Sequence, residues 1–441
     1  MSNKKSPYLI LLEQGSHTWN RWVQTLQSKN IIDVLDLPDR FSKLSPLSPI
    51  EQNQLAELLS VNTVCELDKE IIIEGELDEM CLEGYIFPYK LHFKNCALKN
   101  SFYIHNSFFL EGLSFIDIEF KKTFSLRGLS ISKEFEIKSS IMPDQSAILD
   151  CTIKSIASIT ENDFNEAIIY GCDFEETFSS EKNVFSSYLL IKECSFNADA
   201  VFNKCEYNEN SEFHNCVFND DLNFLENTFI GNSSFINSKM LGSTRFDGSS
   251  FVYPPRFHNA EIHQDTSFLN SIFYSQGMKS ELMPYFDQVR AWCTLKTSMN
   301  KMQNHSKELM FFSFEKDCVR KVLWMDRNYI KWFFLLLYKI TTDYGRSVGR
   351  PIIFFLLLIP LFAFVYKKIT CNRQVEFIDS LQLSISNSFP FIPSGKIYIS
   401  QYIKMTDTGL AFQIISGFQN ILSIVLLFVI ALAVKNFFSI K

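Results

Sequence analysis

The sequence predicts an all-β, four-sided solenoid followed by an α-helical linker and two transmembrane helices. Three observations predict it. Large apolar residues, mostly Phe, recur at alternating steps of 6 and 5 residues through the middle of the chain. A second register, two positions before each of them, holds mostly small residues. Two uncharged apolar stretches of near-membrane length stand toward the C-terminal end.

The beat is clearest from residue 196 onward. Phe196, Phe202, Tyr207, Phe213, Phe218, Phe224, Phe229, Phe235, Met240, Phe246, Phe251, Phe257, Ile262, Phe268 and Phe273 follow it without exception, and twelve of the fifteen are Phe. The small register holds Cys194, Ala200, Cys205, Ser211, Cys216, Ser233, Ser238, Thr244, Ser249, Ala260, Thr266 and Ser271, with Leu222, Asn227 and Pro255 as exceptions. Such a period fits neither the helix repeat of 3.6 nor the strand repeat of 2. Fixed self-similarity marks a solenoid, whose units bury their apolar faces only against stacked neighbours. One large and one small inward residue per short face describes a tight coil of about 22 residues, two 11-residue units per turn.

This pattern resembles the pentapeptide-repeat family, whose units carry a small residue, one spacer, then Leu or Phe. The Phe-rich form is similar to bacterial membrane-associated members. The resemblance implies a right-handed quadrilateral β-helix with an internal ladder of Phe and Leu. The beat extends backward from Tyr170 through Phe164, Ile159, Ile153 and Ile148 to Phe93 and Phe87. Between Tyr170 and Phe185 the register slips, which predicts a bulged or looped turn. The solenoid is expected over 66–276, a rod on the order of 45 Å long at about 4.8 Å per turn.

Composition narrows the function classes. The net charge of -7 divides unevenly: residues 71–276 carry 15 basic and 30 acidic groups, whereas residues 277–441 carry 20 basic and 10 acidic. An acidic rod repels nucleic acid and anionic lipid. A basic segment beside apolar stretches suits the cytoplasmic face of a membrane. Of the eleven cysteines, Cys194, Cys205 and Cys216 fall in the small inward register and read as small hydrophobes; no CxxC pair supports a zinc site. The N-terminal apolar run is short and meets Glu13, unlike a secretory signal. The rod is therefore expected in a reducing cytoplasm. No nucleophile–base pair, phosphate loop or metal constellation is legible, so neither enzyme activity nor a cofactor is expected.

Residues 1–65 read as a helical cap. "LLEQGSHTWNRW" resembles a short motif that precedes the repeats in many pentapeptide-repeat proteins, with Gly15, Trp19, Asn20 and Trp22 at matching spacing and Val23 where the family carries a basic residue. Trp19 and Trp22 share a helix face and are expected to plug the open end of the coil, protecting its core and its unpaired edge.

Residues 277–345 read as a helical hairpin and an interfacial helix. Leu282, Val289, Trp292, Leu295, Met299 and Met302 recur at helical spacing, and "MQNHS" interrupts before a second helix from Glu308. "NYIKWFFLLLYK" is too short to span, and its Tyr and Trp suit a membrane surface.

Residues 346–441 read as a two-span module, with spans near Pro351–Tyr366 and Leu410–Val434. The basic residues before the first span favour a cytoplasmic N-terminal side, and two spans return the C-terminus to the cytoplasm. "ITTDYGRSVGRP" resembles the approach to the first span in membrane-bound pentapeptide-repeat proteins. The resemblance implies an ion-channel-like tail with a re-entrant pore helix, for which 377–390 is the candidate. Its pore-loop residues would be Ser384, Ser386, Asn387, Ser388, Phe389 and Pro390. No potassium-type filter follows them. On the second span Gln413, Ser416, Asn420 and Ser423 fall at steps of 3, 4 and 3 and share a face, which serves either helix packing or pore lining. Both readings require a homo-oligomer. The resulting expectation is an oligomeric, channel-like inner-membrane protein with a cytoplasmic rod that senses or binds a protein partner. A non-conducting tethered scaffold and a DNA-mimicking, topoisomerase-binding rod are the alternatives.

Overall fold

The computed structural model describes residues 7–32, 44–63, 70–274, 283–370, 376–389 and 410–439. The chain divides into two compact units, Met1–Met283 and Pro284–Lys441.

The first unit is a parallel β-solenoid of about nine turns. Its short strands form four parallel sheets, of ten, eight, eight and six strands, one sheet per side of the coil. Paired residues are mostly 22 apart: Phe93 with Phe115, Phe202's neighbour Val201 with Asn223, and Phe229 with Phe251. The Phe positions point inward and their rings stack from coil to coil. Phe202–Phe224 and Phe224–Phe246 centroids lie 4.9 and 5.2 Å apart with planes within 9°. Phe213–Phe235 and Phe235–Phe257 make a second column. Such offset stacking adds to the area each ring removes from water.

The small register works differently from a set of inert fillers. Ser249 Oγ donates to Phe224 O at 2.6 Å, and Ser238 Oγ donates to Phe213 O at 2.7 Å. Cys216 Sγ donates to Ile191 O at 3.3 Å. Ser249, Ser238 and Cys216 thus each bond a carbonyl of the coil before, which is how hydroxyls survive in a dry core, whereas the buried Ser211 Oγ and Ser233 Oγ have no partner among the described residues. Asn227, an exception in this register, fills it with an amide: Nδ2 donates to Phe202 O at 2.5 Å and Oδ1 accepts from Cys205 N at 2.7 Å.

A left-handed residue recurs every 11 positions, from Asn95 to Asn270, with φ between 49° and 69°. It turns the chain at a corner. Asn, Asp and Gly hold many of these corners, as αL geometry favours, but Ser139, Glu161, Lys182, Glu193, Lys204 and Glu226 hold others. The one step of 10, from Glu161 to Gly171, marks a coil of 21 residues.

That shortened coil corrects the expected bulge between Tyr170 and Phe185. The ladder runs on regularly through Asp173–Phe174 and Phe178–Glu181. One residue is missing between Phe164 and Ala167: Ile141 pairs with Asp163, 22 residues on, but Ser146 pairs with Ala167, 21 residues on. Ile169, not Tyr170, points inward; Tyr170 faces out and its hydroxyl donates to Glu193 Oε2 at 2.6 Å. The large and small positions are also exchanged in this coil. Phe178 pairs with Ala157 and Ala200, and Ser180 with Ile159 and Phe202. The summed volume is nearly kept, with a cavity of about 20 Å³ beside Ser180.

Among the described residues, helices α1 (Pro7–Glu13), α2 (Gly15–Ser28) and α3 (Pro49–Leu59) precede the coil. The second unit is helical. It holds α4 (Tyr285–Lys301), α5 (His305–Met325), α6 (Tyr329–Thr342), α7 (Gly349–Thr370), α8 (Phe377–Ser388) and α9 (Leu410–Ser439). Helices α4 and α5 form a hairpin around Trp292, Leu295, Met299 and Phe311. Gln288 is buried there while Val289 is only half-buried; Leu282 lies outside the described residues. Helices α7 and α9 are long and apolar enough to cross a membrane: Gly349–Ile369 and Phe412–Asn436 have mean hydropathies of 2.2 and 2.3. Only 28% and 22% of those windows are buried, so their apolar surface faces outward, unlike that of a soluble core helix.

Candidate functional site

The second unit gathers its polar chemistry where α8 packs against both apolar helices. Helix α8 starts with a capping box, Glu376 N donating to Asp379 Oδ2 at 3.0 Å. Its buried face carries Ser380, Leu383, Ser384, Asn387 and Ser388. Opposite stand Tyr366 on α7 and Ser416, Gln419 and Ser423 on α9.

Gln419 is the hub and is fully buried. Its Oε1 accepts from Tyr366 OH at 2.6 Å. Its Nε2 faces Ser384 O at 2.9 Å, Ser384 Oγ at 2.8 Å and Ser388 Oγ at 3.1 Å. Asn387 Nδ2 donates to Tyr366 OH at 3.0 Å and to Ser416 Oγ at 2.9 Å. Ser384 Oγ donates to Ile359 O at 2.8 Å, the carbonyl just before the in-helix Pro360. One network therefore fastens α7, α8 and α9 together. Around it Phe355, Leu358, Phe362, Leu383, Phe412 and Leu426 form an apolar cluster. In such surroundings an amide with all its bonds made rigidifies the junction, and one deprived of partners is heavily penalised.

The residues singled out in the sequence fall in different places. Ser416 joins the network. Ser423 is fully buried, and its Oγ has no partner among the described residues. Asn420 is half-buried, and its Oδ1 likewise has none among them. Gln413 is exposed on α9. On α8, Ser384, Asn387 and Ser388 turn into the network, Ser386 is half-buried, and Phe389 packs its ring on Phe355 at 5.4 Å. Pro390 lies outside the described residues. Sequence reasoning missed Gln419 and Tyr366. The signal was present: Gln419 lies three residues after Ser416 and four before Ser423, so it competes with Asn420 for the same face.

Just before the first apolar helix a second cluster ties the hairpin to α6 and to the residues that follow it. Asp317 on α5 accepts Lys339 Nζ of α6 at 2.7 Å and Tyr344 OH at 3.0 Å. Burial and the Asp317 carboxylate push the Tyr344 phenol above its ordinary range. Arg346 Nη1 donates to Ser313 Oγ at 3.4 Å.

In the first unit, Trp19 and Trp22 are fully buried at the N-terminal end of the coil, their centroids 5.1 Å apart. Trp19 stacks obliquely on Phe87 at 5.2 Å, and its Nε1 donates to Ile86 O at 2.6 Å. Asn20 between them bonds the same edge. Arg21 holds Glu51 of α3 through two bonds of 2.8 and 2.9 Å, which keep the Glu51 carboxyl down at about 2. Among the described residues no group of His, Cys, Asp and Glu could hold a metal ion.

No family model, curated protein or solved structure matches the chain.

Proposed function

We propose that this chain is a membrane-anchored pentapeptide-repeat protein of the inner membrane. Its two-span tail assembles into an oligomeric, ion-channel-like module, and its acidic rod binds a protein partner on the cytoplasmic side. The observation that carries this reading is α8: a short, capped, hydroxyl-rich helix wedged between two helices of membrane length and fastened to both by buried hydrogen bonds. Polar backbone and side chains at membrane depth are tolerated where protein or a water path covers them. A wedge of this kind is what a pore-forming tail needs to hold a polar helix at depth. The Asp317 cluster would transmit a change in the linker to the first span, since it joins the hairpin to the residues just before α7.

One observation favours the scaffold reading. Ser416 and Gln419 satisfy their bonds within a single chain, so part of the polar face of α9 is already used as packing. The residues left over, Gln413 and Asn420, are those available to a water path or a second copy.

Cysteine labelling in intact cells tests the anchoring and its direction. Cysteines introduced at residues 15 and 441 are expected to be shielded from an impermeant external reagent, and one at 394–400 to react. External labelling at the C-terminus would overturn the two-span reading.

A further inference from the structure

Helix α6 leaves a row of large apolar side chains with no cover. Ile330 is 75% exposed, Phe334 66%, Phe333 50%, Ile340 47% and Leu337 41%. Positions 330, 333/334, 337 and 340 form one stripe at helical spacing. Trp324 and Tyr329, both more than half exposed, flank its start. The opposite side of α6 is held down by Lys339 on Asp317. A soluble protein rarely exposes such a contiguous stripe unless something binds it.

Two further facts identify what binds it. Helix α6 ends at Thr342 and the first apolar helix begins at Gly349, so the stripe lies within a few residues of the membrane entry. Cations cluster at the same place: Arg327, Lys331, Arg346 and Arg350 are exposed. Arg350 stands 3.7 Å from Asp343, whereas Arg327 and Lys331 have no ion pair among the described residues, with Asp326 as the nearby acid. Arg327 lies in the turn that leads into α6, at φ 56°, and Lys331 in the first turn of the helix. A short helix with an aliphatic and aromatic face and basic residues at its polar border is built to lie in the headgroup layer of an anionic bilayer.

Resting on the membrane reading above, we infer that α6 lies flat in the headgroup layer, with Ile330, Phe334 and Leu337 in the acyl region and Arg327 and Lys331 on anionic phospholipid headgroups. The surface is a lipid-binding site distinct from the two spans. It anchors the linker to the bilayer at the point where Asp317 joins it to the hairpin, so the charge of the leaflet acts directly on that junction.

The test uses the full chain in vesicles of phosphatidylcholine with phosphatidylglycerol. Spin labels are placed at Phe334→Cys, Lys331→Cys and Ile424→Cys, with Cys65, Cys81, Cys293 and Cys371 replaced by Ser. The label at 334 is expected to meet dissolved oxygen and to be shielded from a water-soluble nickel chelate. The label at 331 should show the reverse. More phosphatidylglycerol should draw the 334 label deeper, and Arg327→Glu with Lys331→Glu should abolish that response. A 334 label that meets the chelate as freely as 331, or that is closed to both reagents because protein covers it, overturns the inference. So does a depth indifferent to lipid charge. The label at 424, on the exposed side of α9, separates the two claims. If it resides in lipid while 334 does not, only the lipid-binding role of α6 fails; if it too meets the chelate, the membrane reading fails with it.

Discussion

The side chain of Asn20 occupies the place of a missing coil: its Nδ2 donates to Gly84 O at 2.7 Å and its Oδ1 accepts from Ile86 N at 2.9 Å. One amide thus supplies both a donor and an acceptor to a strand edge that would otherwise be open. Replacing Asn20 with Leu keeps the size and leaves two backbone groups unsatisfied, a loss of roughly 2–4 kcal/mol. Thermal melts of a fragment ending at residue 283 should fall accordingly. Amide exchange should accelerate first at residues 84–87, and acceleration spread evenly along the rod would contradict this role.

The Phe ladder makes a sharper contrast. Phe224 is fully buried between Phe202 and Phe246, and Asn223 beside it faces outward. Phe224→Ala should lower stability by about 3–5 kcal/mol, and Phe224→Asp should unfold the surrounding coils. Asn223→Asp should be nearly silent. Equal losses at the two positions would show the inward register to be wrong.

The beat of Phe224 and its neighbours was legible because a single residue type repeats where burial is complete. The coil at Phe178 and Ser180 was not, because exchanging large and small residues preserves volume while breaking the sequence pattern. The corners escaped for another reason. Lys182, Glu193 and Lys204 adopt αL geometry because the coil imposes it, not because their side chains prefer it. In the helical unit, spacing placed a polar face on α9 but selected the half-buried Asn420 where the structure buries Gln419. That burial depends on Tyr366 and Ser384, distant in sequence.

Those corners carry a prediction of their own. Ser139 sits at φ 51°, where an L-residue is strained by roughly 1–2 kcal/mol. Ser139→Gly should raise the stability of the rod, by about 1 kcal/mol after the entropy lost by glycine. The reverse change at Gly128, where a Cβ would stand 2.7 Å from Asn106 Oδ1, should lower it. A denaturant titration of each variant decides the sign.

Acid should weaken the rod through its histidines. Burial lowers the pKa of His92 below its ordinary 6.5, with Lys90 and Lys94 acting in the same direction. Burial also lowers that of His214, helped by Arg256 and Lys192 and opposed by Glu212. The unfolded chain therefore binds more protons than the folded one. The two histidines contribute fully above about pH 6.5 and lose that contribution as the pH falls through their lowered folded values. Melting temperatures should drop from pH 7.5 to pH 5.5, and less so in the variant carrying His92→Gln and His214→Gln. An unchanged drop would assign the acid sensitivity to other groups.

Conduction by the two-span tail is proposed, and current across a planar bilayer tests it. The full chain, purified and reconstituted, should pass ions. Asn420→Leu should reduce that current while the oligomer survives in detergent, because an apolar side chain narrows a water path yet replaces one modest interhelical hydrogen bond of about 0.6 kcal/mol. The same measurement on a chain lacking residues 1–283 removes any hold the rod has on the tail. A stable oligomer that stays silent under voltage both with and without the rod would rule out a channel and leave an anchor in its place.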